Sequence, residues 1–124
     1  MIFRVARHTN DFEPIINFYN EILGLEILGN FKNHNGYDGI FFGKEGLDWH
    51  LEFTKSETKA EHKFDDDDLL VFYPKTKEEF EKIMKNIELN RIEKISPKNP
   101  YWKENGILIS DPDGFKVVIC KQGY

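Results

Sequence analysis

The chain has 124 residues, of which 40% are hydrophobic and 31% are charged, so it suits one compact domain spanning residues 1–124 rather than a disordered or membrane-bound chain. The net charge of −5 provides no basic surface for a phosphate backbone, so neither nucleic acid nor membrane is an expected partner. One cysteine and an opening segment without a signal-peptide pattern make a cytoplasmic location the expectation.

The first half of the chain predicts the element order βαβββ. Residues 2–8 have a strand pattern, and Asp11 is one of three neighbouring residues that can cap the helix that follows. Apolar residues then recur at helical spacing, and Gly24 stands where a left-handed helix end is expected. Three strands are predicted at residues 25–31, 39–43 and 48–54, separated by turn-forming residues.

The second half repeats this layout in weaker form, after a charged connection near the middle of the chain. It predicts a strand at residues 69–73, a helix at 76–87, a strand at 91–95, and two closing strands joined by the turn DPDG. We interpret the chain as an α+β fold in which two βαβββ modules, about 1–60 and 61–124, form paired half-barrels. The alternative is a ferredoxin-like sandwich, which normally has four strands, whereas this sequence offers eight.

Two motifs at opposite ends of the chain resemble a known family. The segments NDFEPIINFYNEILGLEIL and GILISDPDGFKVVI are similar to the opening helix and the closing strand, turn and strand of the vicinal oxygen chelate superfamily. This superfamily holds glyoxalases, bleomycin-resistance proteins and ring-cleaving dioxygenases. The segments YDGIFFGKEGLDWHLEF and NPYW resemble small bacterial glyoxalase-like members. The resemblance implies the paired βαβββ fold, a small-molecule ligand and a homodimer.

The resemblance also implies a metal site, of which this chain retains only part. Metal-dependent members place four ligands on strands that line a concave pocket, and the first position, usually His, falls on Arg4, whose protonated guanidinium cannot ligate. The second falls on Glu52, and the third falls near Asp68 or Leu69, neither of which is His. The fourth falls on Val118, whose side chain cannot bind a metal. We therefore expect no cofactor. The alternative is a divalent metal held by Glu52 with His50 or Asp68.

Strand alternation predicts a polar wall on one face of the first module. Arg4 and His8 share this face with His50 and Glu52, because residues two apart on a strand point the same way. In one hypothesis Arg4 fills the space left by the metal, pairing with Glu52 or holding an anionic group of a ligand. In the other, Arg4 and Glu52 form a structural ion pair without a ligand. His50 is a candidate general base, and its alternative is a hydrogen-bonded structural histidine.

Tyr101 and Trp102 lie in a segment predicted to be a loop between strands. Two large aromatic residues exceed what a simple connection requires, so they are candidates for a ligand lid or a dimer contact. The alternative is that they plug an open barrel end.

These residues together favour a protein that binds a small organic molecule in an aromatic-lined pocket. The alternatives are a metal-dependent lyase, isomerase or dioxygenase, and a metal-free enzyme that uses His50 as its base.

Overall fold

The computed structural model describes residues 1–122, which divide into two compact units. The first unit is Met1–Glu61, and the second unit is His62–Tyr124, of which residues 62–122 are described. No helix within residues 1–122 is both long enough and apolar enough to cross a membrane.

The first unit has the predicted order of one strand, one helical segment and three strands. Its elements are β1 (Phe3–His8), α1 (Phe12–Ile16) continued by a π-helical segment (Asn17–Ile22), β2 (Glu26–His34), β3 (Tyr37–Gly43) and β4 (Trp49–Lys55). The four strands form one sheet in the order β1-β4-β3-β2. Strand β1 is parallel to β4, and the other neighbours are antiparallel.

The helical segment begins and ends at the residues that the sequence predicts. The Asp11 side chain accepts a hydrogen bond from the backbone N–H of Glu13 at 3.1 Å, which caps the first turn. The last turns widen to π-helix, where the Leu23 N–H donates to the Phe18 carbonyl at 3.0 Å. Gly24 then takes a φ of 79°, the left-handed conformation that glycine adopts without steric cost.

One face of the first unit's sheet is committed to core packing under this helical segment. The Tyr19 ring lies 5.0 Å from the Phe53 ring and 5.9 Å from the Phe42 ring, measured between centroids, and all three side chains are fully buried. Arg7 places its guanidinium 5.1 Å from the Phe53 centroid and donates to the Tyr19 hydroxyl at 3.3 Å. Because burial of such rings is worth about 1.5–3 kcal/mol each, this face carries much of the unit's stability.

The second unit contains a three-stranded sheet and two helices. Its elements are β5 (Leu69–Phe72), α2 (Lys77–Leu89), α3 (Pro100–Asn105), β6 (Gly106–Ser110) and β7 (Lys116–Cys120), and the strand order is β5-β7-β6. The DPDG turn joins the last two strands, because the Asp111 carboxylate accepts from the backbone N–H groups of Asp113 and Phe115, each at 2.9 Å. The two sheets hold seven strands, and the fold class is α+β as predicted.

The strand predicted at residues 91–95 is wrong. Helix α2 ends in a Schellman motif in which Arg91 has a φ of 53°, the Ile92 N–H donates to the Ile87 carbonyl at 3.0 Å, and the Arg91 N–H donates to the Glu88 carbonyl. These hydrogen bonds commit the first two residues of the expected strand to the helix end. Only Ile95 pairs with the sheet, through an isolated bridge.

The loop predicted around Tyr101 is also wrong, because this segment forms α3. The Asn99 side chain accepts from the Tyr101 N–H at 3.0 Å, and Pro100 occupies the first helical position. Proline is favoured there because its missing N–H would have no partner in the first turn. Both aromatic residues are therefore presented by a short helix.

Candidate functional site

The first unit's sheet brings Arg4, His50 and Glu52 onto one face. In the parallel register of β1 and β4, Arg4 is the Cα partner of His50, and Ala6 is the partner of Glu52. Since side chains alternate along a strand, this face is opposite to the one that carries Phe53 and packs under the helical segment. We call it the site face.

Arg4 and Glu52 form an ion pair with unequal exposure of its two members. Arg4 Nη1 lies 3.4 Å from Glu52 Oε1, and the two side chains are 54% and 10% exposed. The Glu52 side chain is therefore nearly buried, whereas the Arg4 side chain is about half exposed. A guanidinium has five N–H donors, and this contact engages only the Nη1 end. Arg4 can consequently hold Glu52 and still present donors outward.

His50 lies between this ion pair and an aromatic residue of the neighbouring strand. Its ring meets the Phe41 ring edge-on, with centroids 5.6 Å apart, and the side chain is half-buried. Glu52 is two residues along the same strand, and its Cα partner on β3 is Phe41. On the site face, His50 therefore has Arg4 beside it on β1 and the Phe41 ring beside it on β3.

His8 is held by hydrogen bonds at both ring nitrogens. Nδ1 lies 2.8 Å from the Thr54 hydroxyl, and Nε2 lies 3.1 Å from the Thr58 carbonyl and 3.2 Å from the Ser56 hydroxyl. The Tyr37 ring packs edge-on at 5.8 Å. These contacts connect the end of β1 to β4 and to the segment that follows it, so both ring nitrogens of His8 have partners within the first unit.

Tyr101 and Trp102 belong to the second unit. The two rings meet edge-on at 4.8 Å, and the Tyr101 side chain remains 57% exposed. Trp102 is half-buried against β6, where a Cβ on Gly106 would lie 3.4 Å from its ring. Trp102 thus packs against its own sheet, and Tyr101 is the more available of the two for contact with another molecule.

The residues present do not fit the four-ligand metal site of the superfamily. Within residues 1–122, no three His, Cys, Asp or Glu side chains are grouped so that they could hold a metal ion. Asp68 is exposed in the second unit, where its carboxylate accepts from the Asp65 N–H at 3.2 Å and closes a turn. Val118 is fully buried and apolar. His50 and Glu52 remain as two neighbouring groups of the kind that can ligate.

Two aromatic residues of the site face, Phe31 and Phe41, were missed by the sequence reasoning. Their rings are 5.9 Å apart on neighbouring strands. Alternation along a single strand does not reveal which residue of β2 lies beside which residue of β3, so no local signal identified them.

The fold is that of the vicinal oxygen chelate superfamily, as comparison with solved structures shows. Glyoxalase I of Leishmania major matches with a TM-score of 0.74 and 17% identity, covering 98% of this chain and 86% of that chain. TnmS3, an antibiotic binding protein from Streptomyces sp. CB03234, matches with a TM-score of 0.68 and 17% identity, covering 99% and 96%. At this identity the likeness shows the fold alone.

Closer similarity assigns the chain to a family within this class. The YycE-like N-terminal domain matches residues 3–54, and the YycE-like C-terminal domain matches residues 67–121. The uncharacterized protein YycE of Bacillus subtilis (strain 168) is 40% identical over 119 residues, covering 93% of this chain and 84% of the relative. The chain belongs to the YycE-like family.

A solved structure of YycE agrees with this assignment. It matches with a TM-score of 0.85 and 38% identity, covering 99% of this chain and 90% of that chain. That protein is described as one of unknown function and as a candidate glyoxalase or fosfomycin resistance protein.

Proposed function

We propose that this protein binds a small organic molecule on the site face, with Arg4 as the principal polar contact. The observation that carries the proposal is the unequal exposure of the ion pair, 54% for Arg4 and 10% for Glu52. A guanidinium anchored by a buried carboxylate keeps its orientation, so less conformational freedom is lost when a ligand oxygen binds its outward donors.

The competing hypothesis is that the pair only stabilises the fold. A pair with that sole role needs both groups to face each other, and it gains nothing from a guanidinium that extends towards solvent. Because the structural hypothesis assigns no role to the exposed part of Arg4, this exposure favours the binding proposal.

A catalytic role is the second candidate, favoured by the proximity of His50 and Glu52 on β4. Within the superfamily fold, glyoxalase I is an enzyme and TnmS3 binds an antibiotic, so the scaffold alone does not decide between catalysis and binding. A metal-dependent lyase, isomerase or dioxygenase would need further ligands beside these two residues. A metal-free enzyme would need only His50 as its base, within reach of a ligand held by Arg4.

The proposal includes a homodimer in the cytoplasm. Strands β1 and β2 are the edges of the first unit's sheet, and exposed edges and an exposed aromatic such as Tyr101 support pairing with a second copy. Size-exclusion chromatography with light scattering measures the mass directly. A monomer at micromolar concentration would contradict this part.

The test of ligand binding is a thermal-shift screen of small organic molecules, followed by calorimetry on the compounds that bind. Arg4→Gln is expected to weaken their binding by about two- to thirteenfold, since the lost hydrogen bond contributes about 0.5–1.5 kcal/mol. Arg91→Gln is the matched control, because it removes an exposed arginine from the end of α2 in the second unit.

Three results would contradict the proposal. They are a screen without any binding compound, equal affinities of wild type and Arg4→Gln, and binding that disappears on adding a chelator. The last result, together with stoichiometric metal by elemental analysis, would favour the metal-dependent enzyme. Loss of a turnover in His50→Ala that chelation spares would favour the metal-free enzyme.

A further inference from the structure

A row of aromatic side chains crosses the site face from β2 to β4. The Phe31 and Phe41 rings are 5.9 Å apart, and the Phe41 and His50 rings are 5.6 Å apart. The His34 ring continues the row at 6.1 Å from Phe31. The three central side chains are half-buried, so this face presents aromatic surface.

A glycine on the neighbouring strand makes room for the Phe31 ring. Gly39 is the Cα partner of Phe31, and a Cβ at Gly39 would overlap the Phe31 ring, so this ring lies across the backbone of β3. Gly29 is the partner of Phe41, and a Cβ there would lie 3.7 Å from that ring, which is an ordinary van der Waals contact. The ring planes of Phe31 and Phe41 are inclined by 45° and those of Phe41 and His50 by 78°, so the row is a stepped apolar surface.

The aromatic row ends beside the guanidinium of Arg4. His50 is the Cα partner of Arg4, so the half-exposed guanidinium lies on the strand next to the last ring of the row. Glu52 contacts Nη1 and leaves the other donors of Arg4 available. Because Glu52 offsets most of the local charge, a ligand anion at Arg4 would fix orientation more than it would raise affinity.

The aromatic row differs from the aromatic residues on the opposite face. There Phe42 and Phe53 are fully buried beneath Tyr19, which is the ordinary use of aromatics in a core. The row is only half-buried, although its rings bring large apolar surfaces together. The alternative is that Phe31 and Phe41 serve only to cover the facing glycines within the sheet.

We infer that this face selects a flat aromatic or heteroaromatic ring that carries an anionic group. The ligand ring would stack on Phe31 and meet the inclined ring of Phe41 at its edge, and the anion would accept hydrogen bonds from Arg4. The two Phe rings supply the apolar contact, and the guanidinium supplies complementary charge. This inference rests on the proposed binding function and names the class of its ligand.

Three probes of similar size separate the contributions of aromaticity, charge and apolar volume to the binding affinity. They are 2-naphthoate, its saturated analogue decahydronaphthalene-2-carboxylate, and the neutral 2-naphthamide, each titrated by calorimetry into the full-length protein. Naphthoate is expected to bind about two- to tenfold more tightly than the saturated acid, as aromatic contacts are worth about 0.5–1.5 kcal/mol. It should also bind more tightly than the amide, and Arg4→Gln should remove this second difference.

The variants Phe31→Leu and Phe41→Leu are expected to abolish the preference for naphthoate over the saturated acid. Phe3→Leu is the matched control, because Phe3 is a 62% exposed aromatic on the opposite face of the same sheet. In wild-type protein, naphthoate should shift the ring proton resonances of Phe31 and Phe41 in NMR spectra. This measurement keeps the test decisive even where a leucine variant does not fold.

Equal affinity for the aromatic and the saturated acid, an unchanged preference in Phe41→Leu, or unshifted ring resonances would each overturn the inference. If both acids still bound and both depended on Arg4, the proposed binding function would stand, and only the preference for an aromatic ligand would be lost. If none of the three probes bound while other compounds did so through Arg4, the ligand class would be wrong. Loss of Arg4 dependence for every compound would overturn the proposed function itself.

Discussion

The Arg4–Glu52 pair yields a prediction about stability that does not depend on any ligand. At the observed 3.4 Å, two unit charges attract by about 5 kcal/mol at an effective dielectric constant of about 20, and by about 1 kcal/mol in water. Desolvation of Glu52 and the ordering of Arg4 offset most of this gain. For a pair with one half-exposed member, the net coupling should be about 1 kcal/mol.

The two single substitutions should differ because only one of them leaves a buried charge without its partner. Arg4→Gln strands the Glu52 carboxylate, which should cost about 1–3 kcal/mol of unfolding free energy. Glu52→Gln removes the buried charge and keeps a hydrogen-bond acceptor, so its cost should stay below about 1 kcal/mol. The double variant should therefore resemble Glu52→Gln more than the sum of the two.

The free energy of unfolding of wild type, the two single variants and the double variant is measured by urea unfolding at pH 7, monitored by circular dichroism. Repeating this double-mutant cycle in about 1 M salt should reduce the coupling energy between Arg4 and Glu52 only partly, because the nearly buried Glu52 is screened less than an exposed charge. The reasoning is refuted if Glu52→Gln costs as much as Arg4→Gln, or if the coupling energy is zero within error.

Substitutions at four further positions test the fold. Gly39→Ala should cost about 1–3 kcal/mol by displacing Phe31, whereas Gly29→Ala should cost less, and equal melting temperatures would argue against the close approach. Thr76→Ala removes the cap of α2 and should cost about 1 kcal/mol in urea, with Thr76→Ser nearly neutral; an alanine variant as stable as wild type would contradict this. Burial raises the pKa of Cys120 above its ordinary 9.0, so its stabilising contribution is complete below pH 9.0 and is lost as the pH rises through the raised value. Wild type should therefore lose more stability than Cys120→Ala between pH 8 and pH 10, and parallel losses would exclude this cause.

Part of the site was predictable because it depends on alternation along single strands. Arg4 on β1, and His50 and Glu52 on β4, needed only a period of two to be placed on one face, and the register of the two strands brings them together. The hydrogen-bond partners of His8 were not predictable, because they come from a strand that is distant in sequence and from the segment after it: Thr54 lies in β4, and Ser56 and Thr58 follow that strand.

Elements with local signals could be read from the amino-acid sequence alone. Three such signals act within a few residues: the helical spacing before Gly24, the cap at Asp11 and the DPDG turn. The amino-acid sequence was therefore sufficient to predict this helix and this turn. The end of α2 lacks such a signal, since Arg91 rather than glycine takes the left-handed conformation. For this reason the sequence predicted a strand at residues 91–95 that does not form. The start of α3 does carry a local signal, because Asn99 caps the helix and Pro100 occupies its first position.

The aromatic row depends on how two strands pair in the folded chain. Phe31 and Phe41 lie beside each other because β2 and β3 pair with register shifts between Ile27 and Gly29 and between Phe31 and His34. A bulge changes which residues face each other without leaving a reliable mark in the sequence of either strand. The polar half of the site face followed from the sequence, whereas its aromatic half depended on how two strands met.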